Sequence, residues 1–315
     1  MRFSLIVASI DRTSEIEKLF KSFAQQTFTD FEVIIVDQNP DQRLNTIIEE
    51  FSSIFTIKHL RSKRGLSHAR NIGVLAAKGS IVAFPDDDAY YPKNLLSLVD
   101  KTFAGKQAAS GMTGRCLDVE GRIAAAACDK NAGTVNTLNV WKRGVATTLF
   151  LKRQILENIG GFDEALGLGA ATSYRSGEET DLILRCVAEG YTIEYDPNII
   201  VYHPAVLEKG AQAVFKAWSY GLGMGRVLKK HKTNLFLVIY HVIYPLFGSL
   251  TALMMGETNK AHLRVARCVG RFQGWKSAQD ILIHDCPRWI KKSGITDKTV
   301  EIKPLGKAIQ KGELA

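Results

Sequence analysis

Ser80-Ile81-Val82-Ala83-Phe84-Pro85-Asp86-Asp87-Asp88 joins an apolar run of strand length to three consecutive carboxylates. Three adjacent negative charges repel one another, so the cluster is destabilising unless a cation sits among them. A buried strand that ends in such a cluster delivers it to the carboxyl edge of a sheet, where open α/β sheets hold their ligands. A solvated acidic turn would have the same composition. The segments on either side favour a site for a divalent metal and phosphate.

Upstream, Phe3 to Ala8 is a continuous apolar run, as expected of a strand covered on both faces, and it is read as the first strand rather than as a leader. Ser14-x-x-Glu17 has the form of a capping box ahead of a helical stripe of Ile16, Leu19, Phe20 and Phe23. Phe31 to Val36 is a second strand ending at Asp37, and Leu44, Ile47, Ile48 and Phe51 mark a second helix. Phe55 to Leu60 is a third strand, followed by a helix through Leu66, Ala69, Ile72 and Ala76 that Gly79 is expected to cap. This alternation predicts a mostly parallel sheet with helices on both faces and right-handed crossovers.

Ser9 and Asp11, Asp37, the basic loop Arg61-Ser62-Lys63-Arg64-Gly65 and the aspartate triplet all fall at strand ends, on one rim of that sheet. Together they describe a nucleotide crevice, with a carboxylate for base or ribose, cations for phosphates and carboxylates for a metal. No G-x-G-x-x-G or G-K-[ST] loop occurs, which argues against a dinucleotide site or a P-loop.

The opening strand, Asp37, Arg64-Gly65-Leu66-Ser67-His68-Ala69-Arg70-Asn71-Ile72-Gly73 and Phe84-Pro85-Asp86-Asp87-Asp88 resemble the nucleotide-sugar half of a family 2, GT-A-fold inverting glycosyltransferase of the bacterial polysaccharide and cell-envelope type. The resemblance implies that Asp37 meets the nucleobase, that Arg64 and Arg70 flank the nucleotide, and that Asp86 and Asp88 span ribose and metal; Ser9, by its place at the strand end, is a further candidate nucleotide-sugar contact. It also implies Mg²⁺ or Mn²⁺ and a nucleotide-diphospho-sugar donor, UDP-linked by default. Ala8-Ser9-Ile10-Asp11-Arg12 replaces the family's proline-containing turn, and Gln38-Asn39-Pro40 replaces its usual acidic-glycine-serine run.

Beyond Tyr90, Pro92 is expected to open a helix at its first position, and Ala146 to Leu151 reads as a strand. Gly160-Gly161-Phe162-Asp163-Glu164 leads into a long glycine-bearing loop, expected to act as a mobile lid or acceptor loop. Gly177-Glu178-Glu179-Thr180-Asp181 then opens a helix closed by Gly190. Acidic residues in a first turn also serve as simple helix caps. In the resembled family the acidic motif here supplies the catalytic base, which carries over to Glu179 in preference to Asp181. His203, after the strand Ile199 to Tyr202, is a further candidate metal or diphosphate contact.

The chain has a formal net charge of +9 and five scattered cysteines without metal-ligand or redox spacing, which fits reduced thiols in a cytosolic setting. Leu235 to Met255 is an apolar stretch interrupted by His241, Pro245 and Gly248, with basic residues on both flanks. That pattern suits a segment lying in the interface of an anionic membrane, the alternative being a buried helix pair.

The expected molecule is therefore an α/β, GT-A-type protein with a Rossmann-like sheet and a C-terminal helical, membrane-associated region. Residues 1–108 form the nucleotide-sugar half, 109–207 the acceptor half, 208–290 the helical region and 291–315 a polar tail. The expected activity is metal-dependent hexosyl transfer to a hydroxyl of a lipid-linked saccharide or polysaccharide, at the cytoplasmic face of the inner membrane. A sugar-1-phosphate nucleotidyltransferase would need a glycine-rich, lysine-bearing loop that Ser9 to Thr13 does not supply. Nucleic acid is not expected as a partner, because the basic residues gather beside an apolar segment and not in an aromatic-studded groove. A scaffold without activity is the remaining alternative.

Overall fold

The computed structural model describes residues 1–106, 108–124, 128–204, 210–277, 279–282 and 287; the tail 291–315 lies outside them. In chain order the elements are β1 (Phe3–Ser9), α1 (Ser14–Ala24), β2 (Phe31–Asp37), α2 (Asn45–Phe51), β3 (Thr56–Arg61), α3 (Leu66–Ala76), β4 (Ile81–Ala83) and α4 (Leu95–Gly105). There follow β5 (Gly111–Leu117), β6 (Gly133–Thr134), α5 (Val140–Arg143), β7 (Phe150–Lys152), α6 (Arg153–Ile159), α7 (Glu178–Ala188), β8 (Ile193–Tyr202), α8 (Gly210–Lys230), α9 (Leu235–Met254) and α10 (Thr258–Lys276).

All eight strands join one sheet in the order β3-β2-β1-β4-β7-β5-β8-β6. β3, β2, β1 and β4 run parallel, β7 enters antiparallel between β4 and β5, and β5 and β8 are again parallel. The two expected halves thus share one sheet, with β7 forming the seam. Alternate residues of β1 feed the two core layers, Phe3, Leu5 and Val7 one face and Ile6 the other. Residues of α1, α2 and α4 cover the first face, and residues of α3, α6 and α7 the second.

Several local expectations are corrected. α1 has no side-chain cap, because Ser14 already lies inside the helix and its hydroxyl turns to Glu15. Gly79 does not cap α3, which ends at Ala76; a Cβ there would lie 2.5 Å from the backbone of Phe3 and Ser4, so the glycine permits a close chain crossing. α4 begins at Leu95, after a turn in which the Leu95 amide bonds the Pro92 carbonyl. Ala146–Thr148 is a 3₁₀ turn, and the strand starts only at Phe150. Gly190, with φ 82°, closes α7 as expected, the amides of Gly190 and Tyr191 bonding the carbonyls of Val187 and Cys186.

The C-terminal helices pack through their backbones. Added Cβ atoms at Gly221, Gly225, Gly270 and Gly274 would each meet a backbone oxygen of the opposite helix within 2.6 Å, so α8 and α10 sit at glycine-limited distance. α9 contains Pro245, which cannot donate to the carbonyl of His241. Arg271 of α10 donates to that carbonyl at 2.6 Å and restores the missing bond.

Candidate functional site

The carboxyl ends of β1, β2 and β3 meet on one rim, as the register pairs Ser9 with Asp37 and Asp37 with Arg61, and β4 runs parallel beside β1. Asp37 is fully buried and its carboxylate is occupied. Oδ1 accepts from the Asn39 amide at 2.8 Å and from Asn39 Nδ2 at 2.7 Å, while Oδ2 takes Arg61 Nη1 and His59 Nε2. The expected base-contacting role therefore requires displacement of one partner, and Arg61 is the more exposed of the two side chains on Oδ2.

The aspartate triplet is met by protein cations. Asp88 accepts from His203 Nε2 at 2.8 Å and from Arg12 Nη1 at 2.9 Å, and Arg12 Nε lies 3.4 Å from Asp87. Burial pushes the Asp88 carboxyl up, but the hydrogen bond and charge of His203, with Arg12, hold it below its ordinary value. His203 also faces the carbonyl of Pro204 through Nδ1 at 2.8 Å, so both ring nitrogens meet acceptors. Burial lowers its pKa and Asp88 raises it, with a net rise. Asp87, short of partners, is pushed by burial to about 7. The buried Ser9 hydroxyl lies beside Asp87 without a well-formed hydrogen bond.

Asp86 turns elsewhere. It accepts from Arg70 Nη2 at 3.0 Å, and Arg70 Nη1 reaches Glu178 Oε1 at 3.2 Å. Arg70, expected to flank the nucleotide, is instead 2% exposed, stacked 5.4 Å over the Phe162 ring and committed to these two acids. Among the described residues no three His, Cys, Asp or Glu side chains converge as a metal-ligand group: Asp88 and His203 are adjacent, whereas Asp86 faces Arg70. Arg64 is exposed and makes no hydrogen bond or ion pair among the described residues, which leaves it available to an anion.

α7 presents three acids in its first turn, in three different situations. Glu178 is buried against Arg70, with Oε2 lacking a partner. Glu179 is half-buried and unpaired among the described residues; burial first, then the charge of Glu178, raises its pKa to about 8. Asp181 is the reverse case. Fully buried, it is bonded by Arg185 Nε, Lys230 Nζ and His231 Nε2, each at 2.9 Å. Burial would raise its pKa, but His231 and the two basic side chains lower it to about 2. That geometry makes Asp181 a tie between α7 and α8.

The glycine-bearing loop expected to act as a lid is pinned. Ser67 Oγ donates to the Leu166 carbonyl, the Leu66 amide to Leu168, and the Gly167 amide to the carbonyl of the fully buried Tyr174. Arg12 and Glu178 join the site only through the fold: Arg12 sits in a turn that departs from the family pattern, and the partner of Glu178, Arg70, is distant in sequence.

Against known proteins, residues 4–159 match the family described as Glycosyl transferase family 2. The match takes in Asp37, Arg70 and Asp86 to Asp88 and ends before α7. A protein named "Uncharacterized glycosyltransferase" from Haemophilus influenzae is 27% identical over 203 residues, 62% of this chain and 65% of that one. The fold is shared with the mannosyltransferase PcManGT from Pyrobaculum calidifontis in complex with GDP-Man and Mn²⁺, at TM-score 0.61 and 15% identity over 88% of each chain. It is shared too with Staphylococcus aureus TarS 1–349 in complex with UDP-GlcNAc, at TM-score 0.55 and 17% identity over 89% of this chain and 93% of that one.

Proposed function

We propose that the chain is an inverting glycosyltransferase that moves a sugar from a nucleotide-diphospho-sugar to an acceptor hydroxyl. The observation that carries the reading is the placement of Glu179. Among the described residues it is the unpaired acid of the α7 first turn, and its neighbour Glu178 is tied through Arg70 to Asp86 beyond the end of β4. A proton acceptor and a phosphate-binding rim are thereby held in one rigid frame. The family match over the donor-side motifs supports the same reading.

Asp88 offers a carboxylate oxygen, His203 beside it would offer Nε2 once an incoming cation displaces its proton, and the Ser9 hydroxyl adds spare polar capacity. This fits Mg²⁺ or Mn²⁺, which bind through one or two protein ligands with phosphate oxygens and water completing the shell. Such an ion supplies positive charge to the leaving diphosphate. The ligands of the fold neighbours, GDP-Man with Mn²⁺ and UDP-GlcNAc, suit this donor class, and UDP is the default base.

Glu179 accepts the proton of the acceptor hydroxyl as its oxygen attacks the anomeric carbon. The bond to the diphosphate oxygen breaks on the opposite face and takes its electron pair with the nucleotide. Arg70 holds Asp86 and Glu178 in place, and Arg64 is free to meet the phosphates.

The acceptor is a saccharide or polysaccharide on a lipid carrier, reached from the cytoplasmic face of the membrane. α9 is long and apolar enough to cross a membrane and only 28% of it is buried. Val238, His241, Val242, Pro245, Ser249 and Ala252 face the protein, while Phe236, Tyr240, Tyr244, Phe247, Leu250 and Met254 face out. An outward stripe of large apolar side chains marks an interaction surface, which supports a peripheral or monotopic attachment. A thermal-shift screen of nucleoside diphosphates with Mn²⁺, then of their sugar conjugates, tests the donor reading. Stabilisation only in the presence of metal is expected, and no shift with any nucleotide would refute it.

A further inference from the structure

The loop from β1 to α1 carries a charge that the donor site has not yet used. Asp11 has φ 58°, in the left-handed region, which an aspartate adopts only under local constraint. It is held there by its amide, which donates to Asn39 Oδ1 at 2.6 Å, and Asn39 is in turn fixed on Asp37. The consequence is the direction of the next side chain. Arg12 crosses to the aspartate triplet and pairs with both Asp87 and Asp88. The Ser9 hydroxyl, fully buried and unbonded, faces the same cluster from the end of β1.

Arg12 differs from the other arginine of the site. Arg70 is 2% exposed and bridges two acids, whereas Arg12 is 35% exposed and can leave without stranding itself in the core. A guanidinium and a divalent cation compete for the same carboxylate, because each brings positive charge to within bonding distance of Asp88. A guanidinium also matches phosphate oxygens in a fork, which an ammonium does not.

We propose that Arg12 is the built-in counter-cation of the aspartate triplet, which a divalent cation replaces when the donor binds, and that the released guanidinium then grips the diphosphate. The inference rests on the donor-site reading above. Before binding, Arg12 offsets the repulsion between Asp87 and Asp88, while Arg70 holds Asp86. After binding, the same charge serves the leaving group. The strained Asp11 keeps the loop aimed at both positions.

The test uses the full chain and two affinities. Mn²⁺ is titrated without nucleotide and followed by electron paramagnetic resonance of the free ion, and UDP and GDP are titrated at saturating Mn²⁺ by calorimetry. For Arg12→Ala the expected shifts have opposite sign: Mn²⁺ binds about tenfold tighter alone and the preferred nucleoside diphosphate about tenfold weaker, as one charge-assisted hydrogen bond commands. Arg12→Gln keeps the side-chain length without the charge and carries the same expectation if the alanine variant does not fold. Two affinities that move together, or that both stay put, overturn the role of Arg12. A wild-type chain that binds neither Mn²⁺ nor either nucleotide overturns the donor-site reading itself.

Discussion

Arg70 and Glu178, 108 residues apart in the chain, meet at 3.2 Å between Nη1 and Oε1, with the guanidinium almost wholly buried. The same guanidinium holds Asp86 at 3.0 Å. The contact fastens the start of α7 to the end of β4, and with it the candidate base to the candidate donor site. Removing Arg70 leaves the buried Glu178 and the half-buried Asp86 without a counter-charge. Arg70→Ala is therefore expected to cost about 3 kcal/mol of folding stability, read from the denaturant midpoint. Arg70→Lys, which cannot fork to two acids, should keep part of that stability and lose turnover. An alanine variant as stable as wild type would remove Arg70 from its bridging role.

The pH profile follows from Glu179. Its pKa is raised to about 8, first by burial and then by Glu178. A base works deprotonated, so turnover at saturating donor should climb with pH below about 8 and level off above it. Glu179→Gln should leave donor binding intact, lower turnover by about 10²–10⁴ and abolish the climb. A flat profile in the wild type between pH 6 and 9, values that bracket the shifted group, contradicts the assignment.

Asp181 makes the opposite prediction. Its carboxyl is lowered from 3.8 to about 2, so its stabilising effect is complete above the unfolded value and is lost as pH falls through the folded one. The contribution of Asp181 to the acid limb of unfolding should therefore fall between about pH 4 and pH 2, and that limb should be shallower in Asp181→Asn. That variant should lose about 3 kcal/mol of stability, because Lys230, Arg185 and His231 lose their shared partner. Its remaining folded fraction should keep the wild-type pH–rate profile. Loss of the Glu179 climb in Asp181→Asn, with stability unchanged, would move the base by two positions.

α9 is tested at the membrane. Phe236 is 84% exposed and Phe247 68% exposed. Exposed Lys232 and Lys260 flank the helix, and each cation near an anionic surface contributes about 1 kcal/mol. Fractionated cells should hold the wild-type chain on membranes, partly released by high salt and fully by detergent. Phe236→Asp with Phe247→Asp should move it to the soluble fraction without weakening donor binding. Wild-type protein that is wholly soluble at low salt would make this face a contact for something other than lipid.

The parallel half of the fold was legible because β1, β2 and β4 are short, nearly unbroken apolar runs, each ending at a polar residue that the sheet brings to one rim. The insertion of β7 between β4 and β5 was not, since strand order is a non-local property that no local pattern records. The pairing of α8 with α10 had a signature in Gly221-x-x-x-Gly225 and Gly270-x-x-x-Gly274, overshadowed by the stronger apolar signal of α9 between them. In the site, the aspartate triplet and Glu179 stood out by type and position. The roles of Arg12, Arg70 and Asp181 depend on which acid each faces, and that is settled by packing across distances of up to 108 residues.

The central claim, sugar transfer with Glu179 as the proton acceptor, is met most directly by release of nucleoside diphosphate. Purified full-length wild type and Glu179→Gln are incubated with Mn²⁺, a panel of nucleotide sugars and a lipid extract of the membranes that carry the protein. The account predicts acceptor-dependent release by wild type from one donor of the panel, and a loss of at least about 10² in the variant with donor affinity unchanged. Equal rates of release by the two proteins would contradict it.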